Sequence, residues 1–383
     1  MDYNEGNFFM EAMTVMNPEA PIRFEEDLPV WISASCVRAI ALHCNPNAVT
    51  VVYVLRGTAD VKVSFESFRL GAGEFVVVNH SDFYSVRSDD AENIVILIHI
   101  SVSHYEKSIG FLRFIVFACD SVTTIDDRQE QLDHIRRLIA GLLDILSRHD
   151  RALYADAEHT AHEILNILSV HFSILRHRAG DTTFSRQKMD KYLTIMKKLD
   201  EDYQKKTLLD DISKSEYYSR FYLAHLYKGM MLMSIQDSLS ATRCFKSERL
   251  LLTTKKSIQT ISTECGFSDT KYYYKHFKLW YLCTPKQYRK LFQPEVFIKN
   301  EMREIALDEA ATIMSALLNA GRPKPEGSEK PNAACGVKAI FQGPVELNIV
   351  YHDPMDRESA ERLRGELEAM FQHARVDSSL AQD

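Results

Sequence analysis

The chain has 383 residues, 45% hydrophobic and 26% charged, with a formal net charge of −7. That length supports two or three ordinary cores, and the acidic total argues against a general pull toward polyanions. The charge is unevenly placed, however: residues 205–291 hold 16 Lys and Arg against 7 Asp and Glu, the pattern of a nucleic-acid- or membrane-facing segment on an acidic protein.

The opening "MDYNEGNFFMEAMTVM" carries acids where a signal peptide needs cations. No run approaches 18 apolar residues, so no membrane span is expected. The seven cysteines (36, 44, 119, 244, 265, 283 and 335) are scattered with no Cys-x-x-Cys pair. Reduced thiols in a cytoplasm fit that better than disulfides or zinc.

Residues 22–100 read as strands. "VTVVYVLRG", "ADVKVSF", "ESFRLGAGEFVVVN" and "NIVILIHIS" are short β-branched runs separated by Gly, Asn and Asp. Strands at this spacing predict a sandwich or small barrel, with a tight corner at Gly71-Ala72-Gly73-Glu74. From Arg128 the period changes. Leu132, Ile135, Leu138, Ile139, Leu142, Leu143 and Leu146 recur every three or four residues, an amphipathic helix. "HTAHEILNILSVHFSIL" repeats the pattern. The two stripes suit core packing or a subunit interface equally. "RHRAGDTTFSRQ" reads as a linker, and the chain is then helical to about Phe292. The Pro/Gly-rich "GRPKPEGSEKPNAACG" from Gly321 reads as a flexible tether. "VELNIVYHD" beyond it suggests a strand, and "RESAERLRGELEAMF" a helix.

The stretch "ISTECGFSDTKYYYKHFK" carries the functional signal. Ile258, Ile261 and Cys265 give a helix an apolar face, and Gly266 suits a left-handed C-cap. Phe267 plugs the corner, and Ser268 and Asp269 offer oxygens to cap a second helix. That helix turns Tyr273 and Phe277 to one side and cations to another. Helix, short Gly turn, basic helix is a helix-turn-helix, whose second helix enters a major groove. A second copy lies about fifty residues earlier in "LLDDISKSEYYSRFYLAHLYK". There Ile212-Ser213 matches Ile261-Ser262, Ser219 matches Ser268, and Tyr227-Lys228 matches Phe277-Lys278. A helix containing "ATRCFKSERLLLTT" joins the copies, so two reading helices reach successive groove segments about 34 Å apart.

These residues, with "TPKQYR" after them, resemble the AraC/XylS transcriptional regulators over about 195–292. The resemblance implies a double helix-turn-helix DNA-binding domain over 190–297. It departs from the family at Leu232 and Leu282, where the family usually has Gly. Mapped onto the motifs, it implies that Arg220, Phe221, Ala224 and His225 face the groove in the first copy. In the second copy the groove-facing set is Thr270, Lys271, Tyr274 and Lys275. Arg and Lys pair with guanine, and Phe or Tyr meets a thymine methyl. Lys228, Arg243 and Lys278 suit phosphate contacts, which give affinity without sequence choice.

Through "VVYVLRGTADVKV" and "FRLGAGEFVVVNHSDFYSV" the front of the chain resembles the cupin-like sensory domain found ahead of such domains. The usual metal-ligand places hold Cys44, Pro46, Thr50 and Tyr84, so no metal or other cofactor is expected. His43, His80 and His99 are expected to be structural. A small molecule would take the barrel interior by default, with Tyr53, Arg56, Tyr84 and Arg87 as candidates by position. The barrel equally suits a scaffold that dimerises or contacts a protein. The expected layout is α+β and multidomain: a cupin-like β-barrel over 1–120, a helical linker or dimerisation region over 121–185, the all-α domain over 190–297, and a small extension over 298–383.

No Gly-x-Ser-x-Gly, Walker loop or metal-ligand spacing points to an enzyme. The expectation is a sequence-specific transcription regulator in the cytoplasm. Its expected partners are promoter DNA, a small-molecule effector such as a sugar, a second copy of the chain and RNA polymerase. The alternative is a regulator with weakened reading helices that acts through protein contacts, for which the two Leu departures are the support.

Overall fold

The computed structural model describes residues 22, 24–25, 27–173 and 191–319, apart from 65, 81, 110–111, 125–127, 216–218, 220–223, 225–226, 228–233, 282 and 297. It gives backbone alone for 175–177, 186–190, 293–296 and three strands beyond 334. Seven strands build the front unit: β1 (Val30–His43), β2 (Ala48–Arg56), β3 (Thr58–Val63), β4 (Glu66–Gly71), β5 (Phe75–Val78), β6 (Tyr84–Arg87) and β7 (Ile94–Ser101). They pair in the order β4-β3-β6-β1-β7-β2-β5. The expected corner forms, with Gly73 in the left-handed region (φ 84°). Gly73 N donates to Val54 O at 2.8 Å, and Val54 N donates to Glu74 O at 2.9 Å. The corner therefore leans on β2 and curls the sheet toward a nearly closed antiparallel barrel.

Eight consecutive residues of β2 are buried because both faces of the sheet are covered. Val37, Val52, Val61, Phe68, Val76 and Val86 fill the inside. Val51, Tyr53, Leu55, Ile96 and Ile98 face outward beneath helices α1 (Gln129–Ser147) and α2 (Tyr154–His171). In α1, Leu132, Ile135, Ile139, Leu142 and Leu143 are fully buried. Its stripe is thus core within one chain. Arg136 pins α1 to the corner: its Nε donates to Gly73 O at 2.8 Å, and its guanidinium lies 5.5 Å from the Phe75 ring centre.

The following helices are α3 (Arg186–Glu201), α4 (Leu208–Ser215), α5 (Ile235–Thr253), α6 (Ile258–Glu264), α7 (Thr270–Tyr281) and α8 (Pro285–Val296). One core gathers Ile195, Leu199, Ile212, Tyr227 and Leu239. Another gathers Cys244, Leu251, Ile261, Phe277, Tyr288 and Phe292 and includes Leu42 and Phe83 of the sheet unit. The helical unit is therefore docked on one end of the barrel through apolar contact.

The extension contributes to the front unit. β9 (Glu301–Ile305) pairs antiparallel with β1, and Ala41 N donates to Asn300 Oδ1 at 2.7 Å. Helix α9 (Leu307–Asn319) packs Ala310 and Met314, 0% and 1% exposed, into the outer core. The predicted tether lies outside the described residues. Beyond it, β10 (Cys335–Phe341), β11 (Val345–Tyr351) and β12 (Ala374–Ser379) join β8 (Leu175–His177) in a second sheet, ordered β12-β10-β11-β8. β11 is the strand expected at "VELNIVYHD"; the helix expected after it lies outside the described residues.

Candidate nucleic-acid interface

The second motif is built from its caps inward. Ser257 accepts the Thr260 N–H at 3.0 Å and starts α6. The helix closes with paired bonds, Phe267 N to Ser262 O and Gly266 N to Thr263 O, both 3.0 Å, the Schellman pattern. Gly266 has φ 83°, and a Cβ there would sit 2.6 Å from Gln204 O. Backbone conformation and space both demand glycine. Phe267 is 5% exposed beneath the Arg243 guanidinium, 5.9 Å from its ring centre. Capping of α7 falls to Asp269, whose Oδ1 accepts Lys271 N at 2.7 Å.

Along α7, Tyr273, Phe277 and Tyr281 point inward. Tyr273 donates to Ser247 Oγ at 2.9 Å, and Phe277 stacks on Tyr281 with ring centres 4.3 Å apart. These contacts anchor the helix and leave Lys271, Lys275 and Lys278 exposed, with Thr270 and Tyr274 half-buried. Positions 271, 274, 275 and 278 follow the helical three-and-four spacing, so they form one cationic face. The structure thus brings the expected second reading set together. Tyr272 beside them is 55% exposed, and Lys286 and Lys290 are exposed on the following α8.

Of the first motif, α4 is present with Ile212 buried, Ala224 is helical and exposed, and Tyr227 is buried with its hydroxyl 2.9 Å from Met196 Sδ. Arg220, Phe221, His225 and Lys228 lie outside the described residues, as do Leu232 and Leu282.

Arg243 requires a correction. It is 6% exposed; its Nε donates to Tyr203 O at 2.7 Å and a terminal nitrogen to Lys205 O at 3.1 Å. A guanidinium held by two carbonyls closes the α3–α4 turn onto α5 and has no access to a phosphate. Its neighbour Lys246 is paired with Asp200 at 2.7 Å. Arg289 plays a similar inward part, donating to Leu251 O and Lys256 O, each at 2.9 Å.

Glu248 stands outside the motifs legible in the sequence. It is 3% exposed on α5 and accepts hydroxyls from Tyr281, at 2.9 Å, and Tyr288. Burial, then the nearby Asp82 of the sheet unit, lifts its carboxyl to about 8. The signal was its place four residues from both Cys244 and Leu252, on the buried face of the helix.

The four effector candidates do not converge, which corrects the expectation of a shared interior site. Strand alternation turns Tyr53 outward, beneath the helices and alongside Phe75, because Val52 and Val54 occupy the inside. Tyr84 packs in the interior, its ring 4.1 Å from that of His43. Arg56 lies on the rim, donating to Glu92 O at 2.8 Å, and Arg87 is exposed on β6. His99 is buried with Nδ1 2.8 Å from Thr50 Oγ1, and burial pushes it down to about 3. Burial likewise takes His80 to about 4. Among the described residues no three His, Cys, Asp or Glu side chains gather to hold a metal, and no helix is long and apolar enough to cross a membrane.

Residues 212–291 match the family model described as a helix-turn-helix domain. An uncharacterized helix-turn-helix-type transcriptional regulator of Staphylococcus aureus (strain MRSA252) is 21% identical over 246 residues, 63% of this chain and 31% of the relative. The Msm operon regulatory protein of Streptococcus mutans is 32% identical over 103 residues, 27% of this chain and 37% of the relative. The chain therefore spans about a third of the length of these curated relatives. Among solved structures, the C-terminal domain of the two-component response regulator yesN from Fusobacterium nucleatum is 33% identical with a TM-score of 0.25, covering 26% of this chain and 98% of that one.

Proposed function

We propose that this chain, which carries an AraC-type helix-turn-helix domain at residues 212–291, is a sequence-specific DNA-binding regulator of transcription. The observation that carries the reading is α7: a helix anchored on one side by three buried aromatics and presenting Lys271, Tyr274, Lys275 and Lys278 on the other. Such a helix reads base edges in a major groove with its exposed face. Lys271, Tyr274 and Lys275 read bases, while Lys278, with Lys286 and Lys290, contacts phosphates. The first motif reads the adjoining groove through Arg220, Phe221, Ala224 and His225, with Lys228 on the backbone.

The sheet unit is the sensing half. It meets the helical unit through Leu42 and Phe83, so a ligand that alters the sheet unit reaches α5 directly. The chain acts as a pair of copies at a promoter, in contact with RNA polymerase. Because the α1 stripe is buried within one copy, pairing uses another face.

Selection of tight binders from randomised duplexes tests the reading. A recovered consensus spanning two groove segments one helical turn apart supports it. A pool as random after selection as before contradicts it.

A further inference from the structure

We propose that the groove between α2 and the segment following β7 binds a small anionic metabolite carrying carboxylate or phosphate, and that this groove is the effector site. The effector role rests on the regulator reading above; the binding site itself does not.

The barrel interior, the default place for a ligand, is filled by Val37, Val52, Val61, Phe68, Val76 and Val86. A cavity of about 450 Å³ lies instead on the outside of the sheet unit, lined by His104, Tyr105, Lys107, Glu158, His159 and His162 among others. Its walls are fixed. Asn47 Nδ2 donates to Ser103 Oγ at 2.9 Å and Asn47 Oδ1 accepts Ser103 N at 3.0 Å, which holds residues 102–105 in place. Tyr105 is 2% exposed and donates its hydroxyl to Glu158 O at 2.7 Å, forming a floor that ties the segment to α2.

The hydrogen-bond donors of the lining point to the ligand class. Glu158 is the acid lining the cavity, and His104 Nε2 lies 2.8 Å from its Oε1. Glu106, on the same segment, is held by Arg113 through bonds of 2.8 and 3.1 Å. Both acids are hydrogen-bonded, and the lining also carries Lys107, His159 and His162 as donors. Lys107 and His159 are exposed on its two walls. Basic donors around an aromatic floor suit a compact anion with a flat or short apolar body.

The site is also placed to act. α2 ends at His171, and Phe172 follows, its carbonyl accepting Ala118 N at 2.8 Å and its ring 5.8 Å from the Arg128 guanidinium. The chain then runs toward α3, the first helix of the DNA-binding half. A ligand that draws α2 against residues 104–108 biases the element from which that half departs.

The test is calorimetric titration of the full chain with succinate and, separately, inorganic phosphate, at matched ionic strength. It uses wild type, Lys107→Ala and His159→Ala, whose exposed side chains leave the core intact. Saturable binding of at least one anion is expected, weakened about tenfold or more by each substitution, the scale of one charge-assisted hydrogen bond. The preferred anion tells carboxylate from phosphate. Absence of saturable binding, or equal binding by wild type and variants, overturns the site. The ligand-free variants should hold duplex DNA as wild type does. An anion that binds but leaves duplex affinity unchanged overturns the effector role, whereas failure of wild type to bind any duplex overturns the regulator reading and leaves the titration result standing.

Discussion

Tyr288 donates its hydroxyl to one carboxylate oxygen of Glu248, and Tyr281 donates to the other. Through this buried acid α7 and the following α8 are both bonded to α5, the helix that joins the two motifs. Tyr288→Phe leaves the buried carboxyl group a donor short inside a core. A loss of about 1–3 kcal/mol is expected, read by chemical denaturation.

The same acid sets a pH dependence. Burial raises Glu248 from 4.5 to about 8, and burial raises Asp82 from 3.8 to about 6. Across this range these two acids keep protons in the folded chain that they release in the unfolded one, so their contribution to stability falls as pH rises. The contribution of Glu248 is fully present below pH 4.5 and is lost as pH passes about 8. Above pH 6.5 the buried His80 and His99 are largely neutral in both states, so thermal midpoints should decline from pH 6.5 to pH 8, and Glu248→Gln should flatten the decline. A wild-type midpoint that climbs through that window contradicts the assignment.

Gly266→Ala places a side chain at φ 83° and a Cβ 2.6 Å from Gln204 O. The backbone term alone is about 1–2 kcal/mol, and the clash adds to it. Denaturation should show a larger loss than for Gly141→Ala, where a Cβ meets nothing within 4 Å.

Gly266 also illustrates what the sequence makes legible. A Gly between an apolar stripe and a capping Asp fixes a turn by local chemistry, and caps and periodicities are local. The strands β2 to β5 and β7, the helix α1 and the inward Tyr273 and Phe277 are readable for that reason. What depends on distant partners is not. Arg243 looks like a surface cation until the carbonyls of Tyr203 and Lys205, some forty residues away, are brought to it. β9, "EMREI", has no apolar alternation, and its pairing with β1 arises only because the chain returns to the barrel. Tyr53 and Tyr84 look alike in sequence, yet the pleat sends them to opposite faces of one sheet.

Arg243→Gln separates structure from DNA contact. Loss of the guanidinium bonds should cost about 1.5–3 kcal/mol of stability, with the salt slope of DNA binding unchanged. A slope reduced by about one with stability intact would return Arg243 to the phosphate contacts.

Met314→Ala tests whether α9 belongs to the front unit. Met314 is 1% exposed in the outer core, so truncation should cost about 2–5 kcal/mol and lower the unfolding midpoint of the sheet unit. An unchanged midpoint would mean that α9 does not support it.

The base-reading role proposed for α7 is tested by comparing Lys275→Ala with Lys278→Ala in fluorescence anisotropy. The duplex comes from upstream of the gene, a scrambled duplex competes, and two salt concentrations are used. Lys275→Ala should narrow the gap between the two duplexes by about 1–3 kcal/mol, while Lys278→Ala should weaken both alike and lower the salt slope by about one. If both substitutions weakened every duplex equally, or if wild type bound neither duplex at low salt, α7 would not be a base-reading helix.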